Sequence, residues 1–287
     1  MFKKIVITGG TSGIGLESAR QLAALGHELL IIARSEEAYN KAFSSIARET
    51  PGVKMHFYKA DMSLISNVKE AAYSILKEHD SIDVMLNNAG AVYSDFELSD
   101  IGVEKTMTTN HLSHYILTGM LLPLLRKSKN ARIVNVSSDS HYKGNLDFKP
   151  LTQDTDKYFI MKAYESSKLA NVLFTYYLAE KLKPEGITVN CLHPGMVNTS
   201  IGGKSEHWLH KIAWNTLSSL LGISVVKGAA TNVYLTISED VDGISGKYFF
   251  KCKSKPSLKL SYDLYLQKQL WEWSERITGF YYQLDTN

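Results

Sequence analysis

Cysteine is almost missing from this chain: Cys191 and Cys252 are the only two in 287 residues. Two thiols cannot build the disulfide framework of a small secreted fold, and neither sits in a metal-ligand spacing. Cys191 lies in the apolar run ITVNCL and reads as a buried, inert thiol. A dominant sign of charge is missing too. The net charge of +3 is too small to argue for nucleic acid or an anionic membrane as partner. No apolar run is long enough to span a bilayer, and the N-terminus MFKKIVITGG passes straight into a strand-like segment without a signal region. The expected setting is therefore cytoplasmic, with no integral membrane segment. Prolines number only six, and no repeat, low-complexity tract or flexible linker interrupts the chain. One domain over residues 1–287 is expected. What is there is an ordinary globular composition, 44% hydrophobic and 21% charged, with length enough for a sizeable core.

The hydrophobic pattern alternates between short β-branched runs and helical stretches. Strands are predicted at Lys4–Thr8, Leu29–Ala33, Val53–Tyr58, Val84–Leu86, Arg132–Val136 and Thr188–Leu192. Helices are predicted at Leu16–Leu25, Glu36–Arg48, Ser63–Lys77, Val103–Arg126, Lys162–Leu182 and Leu260–Ile277, with Gly26 as a cap after the first. Continuous apolar strands alternating with helices imply an α/β fold: a doubly wound parallel sheet with helices on both faces. Ligands then bind beyond the carboxyl ends of the strands, at the topological switch point.

The first strand runs into Thr8-Gly9-Gly10-Thr11-Ser12-Gly13-Ile14-Gly15. Glycines at 9, 13 and 15 let backbone turn tightly and approach a pyrophosphate. The helix that follows presents free N–H groups and its positive dipole end. The spacing departs from the usual G-x-G-x-x-G, so the strand–turn–helix context carries the reading. The second strand ends Ala33-Arg34-Ser35, where a carboxylate would accept from a ribose 2′-hydroxyl. No carboxylate is there, and a guanidinium can grip a 2′-phosphate, so NADP(H) is favoured over NAD(H). Glu36 and Glu37 follow closely and keep NAD(H) open. In Tyr164-Glu165-Ser166-Ser167-Lys168, the tyrosine and lysine stand at i and i+4 on one helical face. A phenol titrates near ~10 in water, and a neighbouring ammonium would bring it down toward proton exchange at neutral pH. A surface Tyr–Lys pair explains the same letters. Equally, Ser138 at a strand end could cap the following turn, and Asn110 could be a buried amide bonded to backbone.

Taken together, these pieces resemble the short-chain dehydrogenase/reductase family. TGGTSGIG at 8–15, Asp61 in ADMS, NNAG at 87–90, Asn110, VSS at 136–138, YESSK at 164–168 and HPGMVNT at 193–199 occur in the family's order. TNHLSHYILT and YESSKLANVLF resemble the retinol-dehydrogenase-like branch, which includes WW-domain oxidoreductases. The resemblance implies a Rossmann-type fold and hydride transfer between a nicotinamide cofactor and a carbonyl or alcohol. It implies that Tyr164 is the acid/base and that Lys168 bonds the nicotinamide ribose. Ser138 would hold the substrate oxygen, and Asn110 a relay water. Thr11, Ser12, Ile14 and the turn glycines would surround the pyrophosphate, with Arg34 and Ser35 at the 2′ position. Asp61 and Met62 would meet the adenine; Asn88, Ala89 and Gly90 would line the ribose; Pro194, Gly195, Val197 and Thr199 would meet the carboxamide. Family members pair through the helices holding Asn110 and Tyr164, which implies a homodimer or homotetramer.

Two departures bear on substrate. Ser138 and Tyr164 are 26 positions apart, about twice the family's common spacing, and the insertion resembles one in the retinol-dehydrogenase-like branch. The N-terminal anchor of many vertebrate retinol dehydrogenases is also missing, which argues against membrane-bound retinoid. Segments 139–162 and 200–222 are expected to shape specificity. The apolar stretch His207–Leu221 reads as a lid, a core helix or a membrane contact, and favours an apolar aldehyde or ketone. Nine histidines include the i, i+3 pairs His111/His114 and His207/His210, but nothing around them completes a metal site, so none is expected. Two other functions remain open: a nucleotide-binding sensor or scaffold with little turnover, and an epimerase or dehydratase that regenerates its cofactor.

Overall fold

A computed structural model of the chain describes residues 2–151, 158–195 and 224–284. Strands β1 (Lys4–Thr8), β2 (Glu28–Ala33), β3 (Met55–Lys59), β4 (Val84–Asn87), β5 (Arg132–Val136), β6 (Thr188–Leu192), β7 (Tyr248–Phe250) and β8 (Lys253–Lys255) form one sheet in the order β3-β2-β1-β4-β5-β6-β7-β8. The first seven run parallel; β8 turns back antiparallel on β7. The order reverses between β1 and β4, so the switch point opens beside the glycine-rich turn.

Alternation along the central strands explains why their runs are mostly apolar on both faces. Val6, Leu30, Ile32, Met85 and Ile133 belong to one core. Their neighbours Ile5, Ile7, Leu29, Ile31, Val84, Leu86 and Val134 belong to the other. Both faces are therefore covered, and a polar residue on either would be buried. Helices α1 (Gly13–Ala24) and α2 (Glu36–Glu49) lie on the second core. Helix α3 (Ile65–Glu78) packs into the first.

The stretch expected as one helix over Val103–Arg126 has three parts. Helix α4 (Lys105–Met107) is capped by the Glu104 carboxylate, which accepts from the Thr106 and Met107 amides. A π turn follows (Thr108–Leu112), then α5 (Ser113–Leu125). The extra residue of a π turn bulges the backbone, and Asn110 sits in it. Helix α6 (Ile160–Leu182) carries the Tyr–Lys pair. Sequence patterning did not mark α7 (Val225–Ile237), β7 or β8; the two strands have three residues each, too short for a periodicity.

Helix α8 (Leu264–Thr278) and the segment after it bear on how copies of the chain could pair. Every residue of α5 except Gly119 and Pro123 is buried, as is α6 from Ser167 to Tyr176. Helix α3 covers part of α5, and the chain's own C-terminal segment covers another part. Trp271 packs edge-on against Tyr115, with ring centroids 5.3 Å apart, and Tyr282 donates to the Tyr115 carbonyl at 2.5 Å. A Cβ on Gly119 would lie 2.3 Å from the Phe280 ring. The face of α5 around Tyr115 and Gly119 is therefore occupied from within. Trp271 and Trp273 serve the core. Among the described residues no helix is long and apolar enough to cross a membrane.

Trp271→Ala should lower the free energy of unfolding by about 3–5 kcal/mol in urea denaturation. A loss under ~1 kcal/mol would show that α8 is not what seals α5.

Candidate functional site

A cleft of about 550 Å³ opens at the carboxyl ends of β1, β2, β4, β5 and β6. The Gly9–Gly15 turn forms its floor, and Thr11, Ser12, Gly13 and Ile14 line it. Gly9 and Gly13 have φ of +70° and +53°, which L side chains resist. A Cβ on Gly15 would lie 2.3 Å from the Gly9 carbonyl oxygen, so this close backbone approach admits only glycine. The Ser12 side chain makes no capping bond at the start of α1. The first-turn amides have no partner within the helix and are available to an anion.

The wall between β1 and β4 is built on one hydroxyl. Thr8 Oγ1 accepts the N–H groups of Asn88 and Ala89, each at 2.9 Å. It also contacts His114 Nε2 at 3.0 Å. His114 Nδ1 lies 3.1 Å from the Asn110 carbonyl, which can only accept, so Nδ1 carries the proton and Nε2 takes the Thr8 hydroxyl's. Burial, with Lys168 nearby, pushes His114 down to about 3 and keeps this arrangement neutral. Asn88, Ala89 and Gly90 are thereby fixed along the cleft. Asp61 and Met62 line its far end, where Asp61 Oδ1 accepts from the Ser63 amide and hydroxyl. Arg34 also lines it, half exposed, with its guanidinium 4.0 Å from Asp61 Oδ2 and donors to spare. Glu36, Glu37 and Ser35 are not part of the lining, and the Ser35 hydroxyl caps α2 by accepting from Ala38.

The Tyr–Lys pair is buried, not superficial. Tyr164 is 9% exposed and Lys168 3%. Lys168 Nζ stands 5.6 Å from the Tyr164 ring centre and donates to the Val136 carbonyl at 3.2 Å. Burial pushes the ammonium down to about 8. Burial also pushes the phenol up to about 12, with a Ser138 hydrogen bond pulling down and Asp139 pushing up. The direction is opposite to the one expected from the ammonium, because desolvation by burial is the largest cause. The phenol is therefore protonated at neutral pH, the form that can donate. Ser138 faces the same cleft.

Two bland readings of the sequence hold as geometry. The Ser138 hydroxyl does cap the next turn, accepting from Ser140 N–H at 3.2 Å while donating to Asp139 at 3.1 Å. Asn110 does bond to backbone, accepting from Ala91 N–H at 2.8 Å and donating to its carbonyl at 2.9 Å. Asn110 also donates to Ser167 Oγ, whose hydroxyl donates to the Tyr164 carbonyl. It does not line the cleft; it braces the residues that do. A Cβ on Gly90 would meet Lys168 Nζ at 3.2 Å and Asn110 Oδ1 at 3.4 Å, so these groups converge there.

Sequence reasoning missed Thr8, His114 and the mouth residues Tyr93, Lys143, Met161 and Glu165. Thr8 opens the glycine motif, and its small polar side chain at the end of an apolar strand was the available signal. Pro194 and Gly195 reach the cleft. Val197, Thr199, His207, His210 and all of 200–222 lie outside the described residues, as does 152–157 of the other specificity segment. Among the described residues no group of three potential ligands could hold a metal ion.

The family model for short chain dehydrogenases matches residues 3–210. This chain belongs to the short-chain dehydrogenase family. Its relatives include the chloroplastic short-chain dehydrogenase TIC 32 B of Brassica napus, 35% identical over 95% of this chain and 87% of that protein. Human retinol dehydrogenase 13 is 33% identical over 96% of this chain and 85% of that one, which sets the chain in the retinol-dehydrogenase-like branch. Among solved structures, a short-chain dehydrogenase from Sphingobium yanoikuyae in complex with NADPH aligns with a TM-score of 0.64 and 26% identity, over 81% and 83% of the two chains. The chain is thus an oxidoreductase of the class acting on CH–OH or C=O groups.

Among the described residues the buried Lys168 ammonium has no carboxylate partner, and burying it so costs stability. Its folded pKa, about 8, lies below the unfolded value of 10.5. The unfolded state therefore binds more protons between those values, and the penalty is full below about pH 8 and gone above about 10.5. Lys168→Met should raise unfolding free energy by about 1–3 kcal/mol at pH 7, the gain fading toward pH 10.5. Unfolding curves at pH 7 and 10 check this; an equal or larger gain at pH 10 would refute it.

Proposed function

We propose that this short-chain dehydrogenase is NADP(H)-dependent and interconverts an apolar aldehyde or ketone with its alcohol. The observation that carries the reading is the burial of Tyr164 and Lys168 together on a cleft that also presents Ser138. A dinucleotide is supported by the Gly15 approach, which leaves backbone amides free for an anion, and by Arg34, which lines the same cleft just past β2 and whose guanidinium would take a 2′-phosphate. When bound, the nicotinamide supplies or accepts the hydride. Ser138 turns its hydroxyl from Asp139 to the substrate oxygen, and the protonated Tyr164 donates to the same oxygen. Lys168 would hold the ribose, bring the phenol down during turnover, and pass the proton outward with Asn110 bracing the path.

NADP(H) preference is further supported by the NADPH held by the Sphingobium relative. The apolar substrate is supported by relatives named for retinol and by the composition of 207–221. Single-domain organisation is supported by the one continuous sheet. A cytoplasmic setting is supported by two cysteines that are both free thiols. For the oligomeric state we infer an interface other than α5 with α6, or none.

Turnover of benzaldehyde, decanal, cyclohexanone and menadione with NADPH and with NADH tests the reading. NADPH should be preferred, and Tyr164→Phe should lower kcat by about 10²–10⁴-fold while NADPH still binds. Undiminished kcat in the variant overturns the mechanism, and NADH preference overturns the role of Arg34. Tight NADPH binding with no turnover favours a sensor.

A further inference from the structure

Ser138 begins a 3₁₀ turn, Asp139–Lys143, whose placement decides where the Ser138 hydroxyl can point. Two contacts fix that turn. On one side Gly144, just past it, presses its backbone onto α6: a Cβ there would lie 2.6 Å from the Glu165 carbonyl oxygen and 2.8 Å from Leu169 Cβ. The turn is thus registered on the stretch of helix that bears Tyr164 and Lys168. On the other side stands His141, fully buried. Its Nδ1 lies 2.6 Å from the Ser138 carbonyl, and its Nε2 accepts the Leu258 N–H at 3.2 Å.

Each contact admits one polarity. A carbonyl only accepts and an amide N–H only donates, so His141 is the neutral imidazole with its proton on Nδ1. Burial keeps the ring below its usual pKa. Its other neighbours are Tyr142, which donates to the Pro256 carbonyl at 2.6 Å, and Tyr248, whose ring lies 4.7 Å away and stacks in turn on His193. The imidazole is a strut between the Ser138 backbone and the Pro256–Leu258 segment after β8.

We propose that His141 is a positioning residue for the substrate-oxygen site: its Nδ1–H clamps the Ser138 carbonyl and so aims the Ser138 hydroxyl toward Tyr164. It touches neither substrate nor cofactor. The inference rests on the reading of Ser138 as the group that holds the substrate oxygen. It adds that the Nδ1 bond performs the aiming and the Nε2 bond only anchors the ring. A shift of about 1 Å in an oriented group costs on the order of 10²-fold in rate, so a strut here has a kinetic signature.

Three variants separate the two bonds. His141→Asn keeps a donor near the Nδ1 position, His141→Gln keeps a polar atom near Nε2 only, and His141→Leu keeps neither. With the panel aldehyde that the unmodified chain reduces fastest, the Leu and Gln variants should lose on the order of tenfold or more in kcat. The Asn variant should stay within about threefold, and the NADPH Kd of all three within about twofold, because the pyrophosphate turn lies elsewhere. In a Ser138→Ala background, His141→Leu should cost nothing further. Loss in that background equal to the loss with Ser138 present would mean a general structural role and overturn the proposal; so would Gln outperforming Asn. A Ser138→Ala variant with full kcat would instead remove the reading of Ser138. Independently of turnover, ¹⁵N NMR of the His141 ring should show the Nδ1–H tautomer, and the Nε2–H tautomer would overturn the strut. If the Leu variant does not fold, the Asn and Gln pair with the tautomer measurement decides.

Discussion

The Thr8 hydroxyl is the contact on which the geometry of the site depends. It has one proton and two lone pairs, and all three are used: the proton goes to His114, the lone pairs to the amides of Asn88 and Ala89. Through it the end of β1, the loop after β4 and the π turn before α5 form one unit. Asn110 extends that unit to Ala91 and, through Ser167, to the backbone of Tyr164. The sheet reverses its strand order at this place, and the Thr8 hydroxyl carries the tie from β1 to β4 past the last paired residues of the two strands. The links through His114, Asn110 and Ser167 are buried and those to the Asn88 and Ala89 amides half-buried, and a fully buried group left without its partner would cost about 1–3 kcal/mol. The wall is accordingly stiff before any ligand arrives.

Against that frame the two groups proposed to react, Tyr164 and Lys168, are held in poorly solvated states. The ammonium of Lys168 is buried with a carbonyl for a partner, and the Tyr164 phenol resists ionisation because water is excluded. Charge that is poorly solvated by the protein is available to whatever enters the cleft. A cationic nicotinamide beside the phenol would favour phenolate and lower its pKa; leaving the cleft, it would restore the neutral acid. Chemistry and stability pull apart here, as they do at sites selected for reactivity.

Much of this was written in the sequence, and the reasons differ by feature. β1, β5 and β6 were bounded to the residue because each is a short, mostly apolar β-branched run, with a single buried asparagine in β5 and in β6. The glycine turn was legible because its close approaches admit no other residue. What could not be read was the direction of a pKa: YESSK gives the spacing of Tyr164 and Lys168, but burial, which comes from α6 packing and the β5 edge, decided that the phenol rises. The C-terminal cover was half legible: Trp271 and Trp273 in Leu260–Ile277 read as covering either the core or a subunit contact, and tertiary packing puts both in the core. β8 escaped for the opposite reason: Lys253–Lys255 has the polar side chains of an exposed edge, which protect against further pairing and carry no apolar signal.

The proposed chemistry depends on the protonation state of Tyr164. The chain labelled with ¹³C at the tyrosine Cζ, with Tyr164→Phe used to assign the resonance, can be titrated by NMR without nucleotide and again with NADP⁺. Burial predicts that Tyr164 stays a neutral phenol through pH 10 in the free protein, and that NADP⁺ moves its titration down by at least about one pH unit. Ionisation of the free-protein phenol near neutral pH, or a titration that NADP⁺ leaves in place, would contradict it.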